Sequence, residues 1–217
     1  MGTISAANIA VEIVWLRGKS GSKKDLVHSF KKIFDLSTEV AIEGGTEPAL
    51  GLKPYNTVFE HPNSACMFLY WNSLEQHDNL AAKPKFEAGS AKIMTETVLP
   101  KLEEPIESFY VHSTSSELVL SDADCVEIIE VQSTIAEPDD GFVKSVDESL
   151  RKTSVPTGFL GSYSGPKSDD PDIFVVVTKW SSNQVLKDNS WSKESEESLL
   201  GLFPKGARIA NRWQMHV

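Results

Sequence analysis

Ala10-Val11-Glu12-Ile13-Val14 near the start of the chain is matched past its middle by Cys125-Val126-Glu127-Ile128-Ile129. Met67-Phe68-Leu69-Tyr70-Trp71 is matched by Val176-Val177-Thr178-Lys179-Trp180. The polar turn after each tryptophan leads to His77-Asp78-Asn79 in one copy and Lys187-Asp188-Asn189 in the other. The first two pairs are offset by 115 and 109 residues, one period with small insertions or deletions. A period of that length is a small domain rather than a solenoid turn. The chain of 217 residues therefore reads as one domain written twice. Function becomes one-sided where the copies diverge.

The charge balance removes one class of partner. A net charge of −10, with the short basic run Lys19–Lys24 broken by glycine and serine, gives no footprint for a phosphate backbone, so no nucleic-acid partner is expected. The apolar runs Ala65–Trp71 and Ile173–Val177 are too short to span a bilayer, and no membrane partner is expected either. No charged start followed by a long apolar run marks a secretory signal. The two cysteines, Cys66 and Cys125, form no CxxC pair and read as buried thiols. A reducing, cytoplasmic setting is the expectation.

Each half reads in the same order. In the first, Asn8–Leu16 is a strand rich in valine and isoleucine. Ser22–Leu36 is a helix with Leu26, Phe30, Ile33 and Phe34 at helical spacing. Ala49–Glu60 is a weaker strand, His61-Pro62-Asn63 a hairpin turn, and Ala65–Trp71 the strongest strand. Ser73 is an N-cap with Gln76 as its capping-box partner. Pro84 ends that helix, Lys85–Met94 forms another, and Ile106–His112 closes the half. In the second half, strands at Cys125–Val131, Thr157–Tyr163, Ile173–Trp180 and Ala207–His216 bracket helices at Asp139–Lys152 and from Asn183 to Leu202. Pro166–Pro171 is a polar turn.

Strand, helix, strand, strand, helix, strand is the split βαβ plan of ferredoxin-like folds. The fold class is α+β, with repeats at residues 1–113 and 122–217 joined through the Ser-rich, acidic stretch Ser113–Asp122. Helices cover one face of each sheet. The expected arrangement packs the bare faces of the two antiparallel sheets together, as an intrachain pseudo-dimeric α/β barrel open to further homo-oligomerisation.

Trp71-Asn72-Ser73-Leu74-Glu75-Gln76-His77, followed by Ala82-Lys83-Pro84-Lys85-Phe86, resembles the dimeric α/β-barrel superfamily, specifically the antibiotic-biosynthesis-monooxygenase-like (ABM) proteins. The pattern is an aromatic strand ending in tryptophan, a Ser-Leu-Glu helix start, a histidine, and a small-residue, proline, aromatic segment. The first half carries all of it. The second keeps Trp180, Ser181 and Ser182, has Lys187 near the histidine position and lacks the proline. The resemblance implies a ligand pocket between the helices and the sheet of one half. It also implies a range of activities, from cofactor-independent monooxygenases and polyketide cyclases to haem-degrading enzymes and proteins without chemistry, so fold alone does not assign function.

His77 is the candidate catalytic residue, a base on a phenol or enolisable ketone whose ordinary pKa lies near neutrality. A capping or surface histidine is the structural alternative. Asp78 points about 100° away on a helix and is not expected to orient it. Trp71, with Met67 and Leu69 on the same face at strand period two, is the candidate apolar wall for a planar ligand, and Trp180 its echo. Core packing is the structural alternative, and the recurrence of the tryptophan in both copies favours it. Glu12 and Glu127 sit inside apolar strands, where a carboxylate needs a partner or a role. Arg208 and Arg212 on the last strand are candidate partners.

No GxSxG, P-loop or GxGxxG motif is present, and five scattered histidines without an HxH or HxxxH pair give no metal site. No metal or organic cofactor is therefore expected. The function expected is binding of a small hydrophobic, aromatic or polyketide-like molecule, with cofactor-independent cyclase, isomerase or monooxygenase chemistry of secondary metabolism. The alternatives are a non-catalytic ligand-binding or structural protein and, less favoured, haem degradation with His77 as axial ligand. The difference between His77 and Lys187 leads to the expectation of a single working pocket.

Overall fold

The computed structural model describes residues 9–57, 62–113, 123, 125–133, 140–152, 157–188 and 193–216. The turn residue His61, the stretch 114–122 and Asn189 lie outside them. The chain divides into two compact units, Met1–Ser108 and Phe109–Val217.

The first unit begins with β1 (Ile9–Arg17), α1 (Lys23–Glu43), β2 (Gly51–Thr57) and β3 (Ser64–Trp71). It continues through α2 (Leu74–Ala81) and α3 (Pro84–Ile93), which runs on into a π turn at Met94–Val98 and a short 3₁₀ turn at Leu99–Lys101. β3 lies between β1 and β2, antiparallel to both. All eight β3 residues are buried, as the unbroken apolar run requires. Pro84 opens α3 at its first turn, where the missing N–H costs nothing.

α1 runs well past the expected Leu36. Ser37, Thr38 and Val40 are weak helix formers, but Ser37, Val40 and Ala41 are buried against the unit, and packing overrides propensity. The helix stops at Gly44. Gly45 takes φ 64°, a left-handed conformation that glycine adopts without steric cost. α3 packs on α1 and is tied to it by Lys85, whose ammonium holds Glu39 at 2.7 Å and Glu43 at 2.8 Å.

The second unit contains β4 (Glu107–Ser113, from Phe109 on), β5 (Cys125–Gln132), α4 (Asp140–Lys152), β6 (Phe159–Lys167) and β7 (Asp170–Trp180). It ends with α5 (Asn183–Asp188), α6 (Lys193–Leu200) and β8 (Arg208–His216). Its strand order is β8-β5-β7-β6-β4. β6 runs to Lys167 and β7 starts at Asp170, so the turn is Ser168-Asp169 and most of the expected Pro166–Pro171 loop is strand. One helix-covered face gathers Ile129, Val131, Phe174 and Val176 of the sheet with Val143 and Val146 of α4, Leu199 of α6 and Phe203.

β4, which the element order assigns to the first half, pairs with β6: Val111 lies opposite Lys167. The Tyr110 N–H donates to Ser168 Oγ at 2.9 Å, the Ser168 N–H donates to the Tyr110 carbonyl at 3.1 Å, and the Lys167 ammonium sits 4.5 Å from the centre of the Phe109 ring. Hydrophobic pattern sets which residues of a strand are buried, not which strand it joins.

The register proves the repeat. Ala10 lies opposite Trp71, Glu12 opposite Leu69 and Val14 opposite Met67. Cys125 lies opposite Trp180, Glu127 opposite Thr178 and Ile129 opposite Val176. Both units place the same three positions of each strand pair face to face.

Candidate functional site

In the first unit three sequence candidates meet. The Trp71 indole N–H donates to Glu12 Oε2 at 3.2 Å. His77, on α2, stands edge-to-face against the Trp71 ring with centroids 4.9 Å apart and planes at 75°. β1 and β3 create the first contact: Glu12 lies opposite Leu69, which puts Trp71 diagonally next to it on the same face, within reach of a long side chain. The start of α2 creates the second. Ser73 Oγ accepts the Gln76 N–H at 3.1 Å, and Gln76 Oε1 accepts the Asn72 N–H at 2.8 Å. This is a reciprocal cap displaced one residue from the usual capping box. The Gln76 amide also donates to the carbonyls of Glu47 at 2.7 Å and Pro48 at 3.1 Å, fixing α2 to the loop before β2.

His77 Nδ1 lies 3.0 Å from Asp78 Oδ1, against the expectation that adjacent helical residues diverge. At this exposed helix surface the short Asp78 side chain swings back. The tautomer that carries its proton on Nδ1 donates it to Asp78 and has Nε2 as its acceptor nitrogen. The His77 side chain is 22% exposed. Met67 and Leu69 share the Trp71 side of β3 and are buried, as is Trp71 itself, while Glu12 is half-buried.

A cavity of about 380 Å³ opens immediately beyond β3, with Thr46, Glu47, Asn72, Gln76, Leu80 and Lys83 in its lining. Glu12, Met67, Leu69, Trp71 and His77 do not line it. Five of its lining residues, Asn72, Ser73, Glu75, Gln76 and Lys83, belong to the motif segments that carry the family resemblance, whereas Thr46 and Glu47, in the loop before β2, gave no such signal.

The second unit takes the same positions to a different end. Ser182 Oγ caps α5 through the Val185 N–H at 3.2 Å, as Ser73 caps α2 through Gln76. Matching the caps aligns His77 with Leu186, one residue before the expected Lys187. Leu186 is fully buried with Trp180 and Cys125, and Trp180 meets Phe159 edge-to-face with ring centres 5.3 Å apart and planes at 77°. Trp180 Nε1 donates to Thr178 Oγ1 at 2.9 Å. Glu127, with no exposure at all, accepts Arg212 Nε at 2.6 Å and Gln214 Nε2 at 3.0 Å. Arg212 also reaches Glu196 at 3.3 Å. Arg208 goes instead to Gln132, at 2.9 and 2.6 Å. Sequence reasoning found Arg212 but missed Thr178 and Gln214, whose role emerges only once the β5–β7 and β5–β8 registers are known.

Neither cysteine offers a nucleophile. Neither is in a disulfide, both are buried, and burial pushes the Cys66 thiol well above its ordinary pKa. Among the described residues no group of three or more His, Cys, Asp or Glu side chains is placed to hold a metal, and no helix is long and apolar enough to cross a membrane.

No protein-family model matches the chain, and no curated protein matches it. Solved structures do. A protein described as anthrone oxidase-like aligns with a TM-score of 0.64 over 98% of this chain and 94% of its own, at 14% identity. A "putative monooxygenase" from Lactobacillus acidophilus aligns at 0.57 over 97% of this chain and 94% of its own, at 13% identity. A "putative chlorite dismutase" aligns at 0.57 over 97% of this chain and 95% of its own, at 10% identity. At these identities the likeness is one of fold. The chain shares with them an α+β fold built from two ferredoxin-like units.

Proposed function

We propose that the first unit binds a small hydrophobic, aromatic or polyketide-like molecule on its helix-covered side, and that His77 Nε2 takes a proton from an acidic C–H or O–H of that molecule. Dioxygen then adds to the carbanion, and loss of water from the resulting peroxide leaves a ketone. This is a cofactor-independent monooxygenation; cyclisation or isomerisation would be other fates of the same carbanion. The supporting observation is the convergence of a carboxylate, an indole and an imidazole in the first unit, where the second has leucine in place of the imidazole. The names of the structural neighbours agree with oxidation of such substrates.

The test is incubation of the purified chain with anthrones and polyketide-like aromatics in air, following oxygen uptake and product mass. Loss of turnover in His77→Ala supports the reading, and unchanged turnover removes His77 as the base. The burial of Met67, Leu69 and Trp71 favours a second reading, a non-catalytic ligand-binding or structural protein whose wall residues are core. Failure of the whole panel to turn over would select it, binding without turnover marking a ligand-binding protein and absence of both a structural one.

A further inference from the structure

The buried indole N–H has a hydroxyl beside it in one unit and not in the other. Thr178 and Leu69 hold the same register position, opposite Glu127 and Glu12. In the second unit the Trp180 N–H goes to Thr178, whose own hydroxyl donates to Glu127 Oε2 at 3.5 Å, while Glu127 Oε1 accepts from Arg212 and Gln214. In the first, Leu69 offers no acceptor, and the Trp71 N–H goes to Glu12. A buried N–H without an acceptor is strongly disfavoured, so this bond fixes where the indole lies. The ring held this way is the ring against which His77 stands edge-to-face. In the second unit the matching side chain is Leu186, which packs without needing an orientation.

We infer that Glu12 is a positioning residue: it anchors the Trp71 indole through its N–H, and the anchored indole sets the orientation of His77. Glu12 therefore acts on the imidazole through Trp71 rather than by touching substrate. The link is a property of the free protein; it rests on the base reading of His77 only where turnover is concerned.

Nuclear magnetic resonance of the isotopically labelled full chain tests it, with the Trp71 indole N–H and His77 ring signals assigned through Trp71→Phe and His77→Leu. In Glu12→Ala both sets of signals should move by more than a linewidth. In Glu12→Gln, whose amide oxygen still accepts the N–H, both should return close to their original positions. His77 signals that stay in place in Glu12→Ala, or that Glu12→Gln fails to restore, would overturn the inference. Should Glu12→Ala not fold, Leu69→Thr gives the indole the acceptor that the second unit uses. It should draw the N–H away from Glu12 and move the His77 signals in a folded protein, and unmoved signals count equally against the inference. Turnover of the same variants keeps the two readings apart: coupled signals with a fully active His77→Ala would sink the base assignment and leave the positioning role standing.

Discussion

Glu12 and Glu127 stand at the same place in two copies of one design and end in opposite chemistry. Glu127 is sealed from solvent and answered by Arg212, whose guanidinium Glu196 shares, and by Gln214. Glu12 is half-buried and accepts an indole N–H, next to an imidazole. A charge enclosed in an apolar layer must be neutralised or hydrogen-bonded to persist there, and the second unit does both. Duplication supplied two equal frameworks; the second unit spent its polar positions on structure, and the first kept them for the proposed chemistry.

The sharpest way to break this comparison is to remove Arg212. Arg212→Ala strands a fully buried Glu127, and uncompensated buried carboxylates of this kind cost about 3–5 kcal/mol. Chemical denaturation should show a midpoint far below that of the parent. Glu12→Ala takes the acceptor from the Trp71 N–H, and that loss should cost about 1–2 kcal/mol by the same measurement. Equal losses would mean that the two glutamates do the same work.

What the sequence disclosed follows the same division. The strand pairs were legible because Ala10–Val14 and Met67–Trp71 are dense in apolar and β-branched residues, and their echoes confirmed them. The Glu127–Arg212 pair was legible because a carboxylate in an apolar strand demands a partner. The partner strand of β4 was not, since Phe109 and Val111 show a buried face without saying which edge receives it. The Asp78 contact to His77 was missed because helical spacing describes Cβ directions, and a short exposed side chain is free to turn back. Leu186 was missed for a different reason. The shared Asp-Asn after each helix start drew the alignment one residue too far, whereas Ser73 and Ser182, fixed by their hydrogen bonds, give the true match.

A reciprocal exchange sharpens that match. Leu186→His places an imidazole where no part of the side chain meets water, between Cys125 and Trp180; lost packing and an unsatisfied ring nitrogen together should cost about 3 kcal/mol. His77→Leu does the reverse, setting an apolar side chain against Trp71 as Leu186 is set against Trp180, and should be neutral or gain up to about 1 kcal/mol. Thermal denaturation of both variants decides it. A destabilised His77→Leu would show that the imidazole is structural, and would weaken the case for a functional first unit.

The smallest effect belongs to an ion pair of the same kinds of charge as Glu127–Arg212 but with the opposite burial. Asp25, in the first turn of α1, accepts the Lys101 ammonium at 2.6 Å on an exposed surface of the first unit. That hydrogen bond, the Lys101 charge beyond it and the charge of His28 hold the Asp25 carboxyl below its ordinary pKa. A carboxyl depressed in the folded state adds stability that is fully present above its unfolded pKa and disappears as pH falls through its folded value. Asp25→Asn should therefore differ from the parent at neutral pH and converge with it in acid. Solvent screens both groups, so the difference should be small, largest at low ionic strength and absent in molar salt. Denaturation midpoints across an acid-to-neutral series at two salt concentrations measure it. If the loss persisted in high salt and rivalled that of Arg212→Ala, burial would not be what separates the two ion pairs, and the contrast between the units would need another cause.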